Sequence, residues 1–222
     1  MSVNYESVNR INSLKSNIET ITGKTYGNLT DAIQGLKDEC GIGEIQSYLD
    51  GTISGEVDLS HLTKVRIGIL AECDQVTGVM LPTTITEIPP YAFYNCRNLE
   101  NIAMPSGITR IGSFAFYQCD KFTNIIIPES VTEIFECAFM NCYNLTNLVI
   151  PNSVEWINSQ AFCQCTRLVT VTFKGTPEYI ASNTFWNCRS LTTINVPWAE
   201  GEVYNAPWGA TNATINYNYT GG

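Results

Sequence analysis

The chain has 222 residues, with 21 Asp plus Glu against 12 Lys plus Arg and a formal net charge of -9. That balance disfavours nucleic-acid backbones and anionic membrane surfaces as partners, because both are held by clustered cations, and no apolar run of about 18 residues is present to span a bilayer. Charged residues make up only 15% of the chain, below the roughly 25% of ordinary soluble chains, so Asn, Thr, Ser, Gln and Tyr must wet most of the surface.

The opening MSVNYESVNRINSLK lacks the apolar core of a secretory signal, so the expectation is synthesis in the cytoplasm without export by that route. Residues 1–50 then read as a helical segment with a linker. Val8, Ile11, Leu14, Ile18 and Ile21 step by three and four and form one apolar stripe. Thr30 caps a second helix, DAIQGLKDE, which ends at Gly41 and Gly43. The stripe suits either a cap over the following domain or an oligomerisation and docking segment. Ile11, Leu14, Ile18 and Ile21 span only two heptads, too few to hold a free coiled coil. Residues 41–58, rich in Gly and acid, read as a linker.

Residues 51–197 are repetitive. Pro82, Pro105, Pro128 and Pro151 are 23 residues apart, and Pro197 falls two periods later. Phe93, Phe116, Phe139, Phe162 and Phe185 keep that step, as do Cys96, Cys119, Cys142, Cys165 and Cys188. A worn unit at 59–81 retains Cys73 and the apolar positions but has lost the Pro and the Phe. In each unit the last six residues, such as LTNLVI at 145–150, read as a strand with two inward apolar positions and one outward residue between them. Proline ends the ladder because it has no N–H. Two apolar anchors follow, Val131 and Ile134 in the unit PESVTEIFECAFMNCYNLTNLVI, and then the Ala-Phe-x-x-Cys segment on an outer arc. A unit of this kind cannot bury its own apolar face, so stacking of successive units is obligatory.

The period fails after Pro197, and residues 198–222 read as a C-terminal β cap. Ile215, Tyr217 and Tyr219 alternate with polar residues as a half-buried strand would. Trp198 and Trp208 suit the sealing of the last coil, with a carbohydrate platform as the alternative.

The pattern P-x-S-V-T-x-I-x-x-x-A-F-x-x-C-x-x-L-T-x-I-x-I, carried by residues 59–197, resembles the leucine-rich repeats of the BspA or Treponema type. That resemblance implies a right-handed repeat solenoid with a parallel sheet on its concave face, and a protein that binds rather than catalyses. Many members are secreted adhesins, from which this sequence departs in its N-terminus. Its two flanks also resemble those of leucine-rich-repeat proteins in prophages of Gram-positive bacteria.

The sequence holds no catalytic constellation. There is one histidine, His61, although histidine is the commonest general base and a main metal ligand. Phosphate-loop, H-E-x-x-H and G-x-S-x-G motifs are missing, and the acids share no column that would pair two carboxylates. Cys73, Cys96, Cys119, Cys142, Cys165 and Cys188 stack one coil apart and read as buried thiols. Cys40, Cys137 and Cys163 lie outside that column, and Cys163-x-Cys165 has no second ligand pair to complete a zinc site. No cofactor or metal is implied.

Three further columns bear on binding. Asn95, Gln118, Asn141, Gln164 and Asn187 precede the column cysteines, and their side-chain amides are expected to bond from coil to coil. Tyr94, Tyr117, Met140, Cys163 and Trp186 follow the phenylalanines and suit either packing on the outer arc or an aromatic strip. The outward strand positions include Asn101, Asn124, Ile126, Asn147, Val149, Thr170, Thr172, Thr193 and Asn195. Thr and Val suit strands in any case, but a nearly uncharged face with a β-branched stripe also suits contact with a protein or glycan. The expected function is therefore non-catalytic recognition, first as a phage or prophage tail-associated or virion structural protein that docks or oligomerises through residues 1–50. The alternative is a bacterial surface adhesin or an interaction scaffold. The acids form no regular double row, which argues against a nucleic-acid mimic.

Overall fold

The computed structural model describes residues 54–60 and 62–220. The helical reading of residues 1–50, Cys40 and His61 lie outside them. Twelve short strands occur among the described residues: β1 (Gly55–Asp58), β2 (Val76–Met80), β3 (Glu87–Ile88), β4 (Asn101–Ala103), β5 (Arg110–Ile111), β6 (Glu133–Ile134), β7 (Asn147–Ile150), β8 (Trp156–Ile157), β9 (Thr170–Phe173), β10 (Tyr179–Ile180), β11 (Thr193–Asn195) and β12 (Thr214–Asn216). They build a parallel β-solenoid of about seven turns, with all but one turn contributing a strand to a front sheet and most contributing one to a flank sheet.

The front sheet is in two pieces, β1-β2-β4 and β7-β9-β11-β12, all parallel. Its inward positions are apolar, and burial alternates as the pattern at 145–150 requires: Leu148 and Ile150 are buried on either side of exposed Val149. In the intervening coil Ile125 and Ile127 are buried, yet only one isolated bridge, Asn124 to Asn147, ties its strand to a neighbour. The linker reading of residues 41–58 is corrected at its end, where β1 pairs in parallel with β2 and is part of the sheet.

The flank sheet runs β10-β8-β6-β5-β3 and consists of two-residue strands. Each buries an isoleucine (Ile88, Ile111, Ile134, Ile157 or Ile180) and turns the preceding residue outward. Strands this short give no alternation to read, so only the 23-residue step of the isoleucines marks them.

The outer arc is held by an alternating hydrogen-bond scheme. The N–H groups of Tyr91, Phe93 and Asn95 donate to Ser113, Ala115 and Tyr117 of the next coil, whereas those of Ala92, Tyr94 and Cys96 donate three residues back within their own coil. The next two coils repeat this at 114–119 and 137–142. The geometry requires left-handed residues at two columns: Tyr91, Phe114, Cys137 and Gln160 (φ 55–58°) and Asn95, Gln118, Asn141, Gln164 and Asn187 (φ 55–64°). The second column is the amide column, and its expected side-chain ladder is corrected. No hydrogen bond joins one of its amides to the next among the described residues, and Asn95 Oδ1 and Asn141 Oδ1 are buried without a partner. The coil-to-coil bonds come from the backbone N–H groups of these residues instead. Asn suits the site because it tolerates the left-handed conformation better than most side chains.

The column cysteines have a defined role in the same scheme. The carbonyl of Phe93 accepts from the Cys96 N–H at 3.2 Å and from the Cys119 thiol of the next coil at 3.3 Å. The carbonyls of Phe116, Phe139 and Phe162 likewise accept thiols from Cys142, Cys165 and Cys188 at 3.2, 3.3 and 3.1 Å. A small apolar side chain with one weak donor fills the space and meets the second lone pair of a buried carbonyl. All eight described cysteines are buried.

Inside the arc the phenylalanines stack. Ring centroids are 5.2 Å apart for Phe93 and Phe116, 5.1 Å for Phe116 and Phe139, 5.2 Å for Phe139 and Phe162, and 5.9 Å for Phe162 and Phe185. Such pairs add about 0.5–1.5 kcal/mol beyond the area they bury. At the far end Phe173, Trp198 and Trp208 pack edge to face or tilted, with centroids 5.3–6.3 Å apart. Both tryptophans are buried and Trp208 donates its indole N–H to the Tyr204 carbonyl, so neither offers a carbohydrate platform. Of the alternating residues beyond them, only Thr214–Asn216 forms a strand, and Tyr219 is exposed.

Phe139 is fully buried between two rings. Phe139→Ala should cost about 3–5 kcal/mol, read as a lower urea midpoint for the full chain, whereas Phe139→Leu, which keeps most of the volume, should cost less than half of that.

Candidate functional site

The outward residues of the front sheet form columns because parallel strands in register place each residue beside its equivalent in the next coil. One column contains Gly78, Asn101, Asn147, Thr170, Thr193 and Thr214, paired in register, with Asn124 joining through its bridge to Asn147. Asn101, Asn124 and Asn147 are exposed, while Thr170 and Thr193 are half-buried. Asn147 bonds only its neighbour Thr146 Oγ1, so the Asn side chains face solvent rather than one another.

The adjacent column pairs Met80 with Ala103, Val149 with Thr172, and Thr172 with Asn195. The 23-residue step puts Ile126 between Ala103 and Val149. It divides into two chemically distinct halves. Met80, Ile126 and Val149 are 52%, 85% and 46% exposed, an apolar ridge interrupted by the small Ala103. Beyond it the column closes on itself: Asn195 Nδ2 donates to Thr172 Oγ1 at 3.1 Å, and Asn216 Nδ2 donates to Asn195 Oδ1 at 2.8 Å. Asn195 is 7% exposed. Its placement among the outward binding residues is therefore corrected, because its amide already has both partners and little of it reaches solvent.

Sequence reasoning missed Met80, which belongs to the worn unit. Its position 23 residues before Ala103 in the outward column would have found it. The most exposed residue of the ridge, Ile126, sits in the coil where the strand ladder breaks. That coil is joined to the strand of Val149 by the Asn124–Asn147 bridge and by the Thr146 N–H, which donates to the Thr123 carbonyl at 3.0 Å, rather than by a four-residue ladder such as the one that pairs Val149 with Thr172.

The outer arc carries a second group of rings. Tyr91 stacks on Phe114 at 5.1 Å and Tyr94 on Tyr117 at 4.9 Å. Burial, then the neighbouring Tyr117, Glu72 and Tyr91, push the Tyr94 hydroxyl above its ordinary value. Met140 is half-buried, Cys163 is fully buried and Trp186 is half-exposed. The aromatic strip is thus continuous only over its first two coils.

Among the described residues no group of three or more His, Cys, Asp or Glu is placed to hold a metal ion, and no helix is long and apolar enough to cross a membrane. Burial raises the thiols of Cys96, Cys119, Cys142 and Cys165 well above their ordinary range and those of Cys137 and Cys163 to about 11. These groups are protonated, weakly nucleophilic packing elements.

Stacked coils with a parallel front sheet, a stacked-phenylalanine core and a recurring cysteine column define a leucine-rich-repeat solenoid. The BspA type leucine rich repeat region matches residues 63–192 in six copies, and the chain belongs to that family. The structure is similar to that of the T. pallidum leucine rich repeat protein TpLRR, at 29% identity over 64% of this chain and 64% of that one, with a TM-score of 0.54. This chain therefore aligns with less than two thirds of the Treponema protein's length. The pneumococcal vaccine antigen PcpA shares the fold at 23% identity over 54% of this chain and 30% of its own, with a TM-score of 0.50. No curated protein matches the sequence. Leucine-rich-repeat proteins of this kind serve in protein interaction or at surfaces.

The thiols also make stability depend on pH. A thiol raised above its unfolded value of 9.0 keeps its proton when the unfolded chain has lost it. Its contribution is complete below about pH 8 and is lost as pH climbs from 9 towards 11 and beyond, at about 1.4 kcal/mol per pH unit for each thiol. Unfolding free energy should therefore be level between pH 7 and 8 and fall steeply above pH 9. A profile that stays flat to pH 10.5 would contradict the buried thiol column.

Proposed function

We propose that the chain is a non-catalytic recognition protein that holds a protein partner on its front sheet, centred on Met80, Ile126 and Val149. The observation that carries this is the exposed ridge itself. Three apolar side chains from three coils stand in one column beside the amides of Asn101, Asn124 and Asn147. An apolar centre edged by uncharged hydrogen-bonding groups has the make-up of a protein contact surface. A ridge without aromatic rings is poorly suited to sugar faces, which favours protein over glycan. Thr170 and Thr193 extend the polar edge.

Two settings use this face. In the first, the chain is a tail-associated or structural part of a phage or prophage particle, anchored through residues 1–50. The support is the three-and-four spacing of Val8, Ile11, Leu14, Ile18 and Ile21 and the likeness of the flanks to prophage proteins. In the second it is a bacterial surface adhesin or an interaction scaffold, which the family as a whole supports. Residues 198–222 serve in both as the terminal cap that any solenoid needs over its last coil.

Two measurements test these readings. Immobilised full chain should retain specific proteins from a panel of purified envelope and matrix proteins. Ile126→Asp and Val149→Asp should each lower that affinity at least tenfold while leaving the urea midpoint within error, because both side chains face solvent. Retention unchanged in both variants would remove the front sheet from the function. Light scattering should give a multimer for the full chain and a monomer for the Ile11→Asp, Ile18→Asp double variant. A monomeric full chain would sink the anchored setting and leave a solitary binding solenoid.

A further inference from the structure

The flank sheet has an outward column of its own, Glu87, Arg110, Glu133, Trp156 and Tyr179, with each residue in register with the next. Its last two members break the charged pattern. Trp156 and Tyr179 are 42% and 44% exposed, with ring centroids 5.8 Å apart and planes tilted by 33°. Neither ring is used to fill the core, which at this level is Ile157 and Ile180.

Carboxylates neighbour the pair in register and in sequence. Glu133 lies directly beside Trp156 in the column, and Asn158 Nδ2 donates to its Oε1 at 3.3 Å. Glu155 and Glu178 precede the two rings at the same 23-residue step, and both are exposed. Arg97, Lys121, Arg167 and Arg189 follow the cysteine column, on the other side of the front strand in each coil, whereas Arg110 stands in the flank column beside Glu133 and Lys174 lies four residues before Glu178. At the end that carries the two rings the flank has three carboxylates, Glu133, Glu155 and Glu178, on a chain of net charge -9, with Arg110 on the far side of Glu133 from Trp156.

We propose that this face docks an extended basic segment of a partner protein, with arginine side chains lying over Trp156 and Tyr179 and held by Glu133, Glu155 and Glu178. A guanidinium stacks on aromatic faces and pairs with carboxylates at the same time, which a lysine ammonium does less well. Spacing supports an extended segment: alternate residues of a strand are about 6.6 Å apart, close to the 5.8 Å between the two rings. The surface is separate from the front sheet and does not depend on its role.

The test is a titration of the full chain with the capped pentapeptide arginine-serine-arginine-serine-arginine, followed by the indole N–H resonances and by calorimetry. Saturable binding should shift the Trp156 resonance and leave those of Trp198 and Trp208 in place. Trp156→Leu should weaken binding about tenfold or more, Trp156→Phe should weaken it less, and Glu155→Gln with Glu178→Gln should match Trp156→Leu. Removing two carboxylates elsewhere, with Glu200→Gln and Glu202→Gln, should change affinity less than twofold. The lysine-serine version should bind several-fold more weakly. Equal loss in the two double variants would reduce the effect to general charge attraction and overturn the proposal. So would wild-type affinity in Trp156→Leu, or a tetramethylammonium ion binding as tightly as the peptide. Resonance shifts with rising protein concentration alone would replace the basic segment with a second copy of this chain.

Discussion

Everything in this structure follows from one constraint: a coil of 23 residues puts each residue beside its own equivalent in the next coil. Backbone hydrogen bonds then run from coil to coil on the front sheet, the flank sheet and the outer arc. On the arc only alternate N–H groups go between coils, and the others close three-residue turns within their own coil. That alternation imposes two left-handed residues per coil, and it presents one carbonyl lone pair per coil that the backbone does not meet. The column thiols meet it. The Phe and Cys columns are two parts of one packing solution rather than separate motifs.

The same constraint separates structure from recognition. Inward positions repeat with little change, because a stack of phenylalanines or isoleucines tolerates no outlier without leaving a cavity. Outward positions are free of that demand and vary along the column. On the front they pass from Met80 through Ile126 and Val149 to the bonded pair Thr172 and Asn195. On the flank they pass from Glu87 and Arg110 to Trp156 and Tyr179. Specific surfaces arise where a column changes its chemistry part-way along the solenoid.

The columns, the inward and outward sides of each front strand, the burial of the cysteines and the family were legible in the sequence. Each is a statement about which residues share an environment, and a strict 23-residue period carries that information without coordinates. The strand LTNLVI reads correctly because alternation reports one buried face directly.

Tertiary structure decided what each shared environment is. The amide column looked like a side-chain ladder, but the left-handed backbone at Asn95 and Asn141 turns the bonding over to the main chain. Asn195 has the same outward register as Val149, yet the following coil brings Asn216 onto it and closes it from solvent. Gly55–Asp58 reads as linker because four residues show no period, and becomes strand because β2 offers its edge. The exposure of Ile126 and the pairing of Trp156 with Tyr179 are set by where neighbouring coils do or do not meet. A period in sequence specifies which residues are neighbours, whereas exposure and hydrogen bonding depend on the distances and directions that only the stacked coils establish.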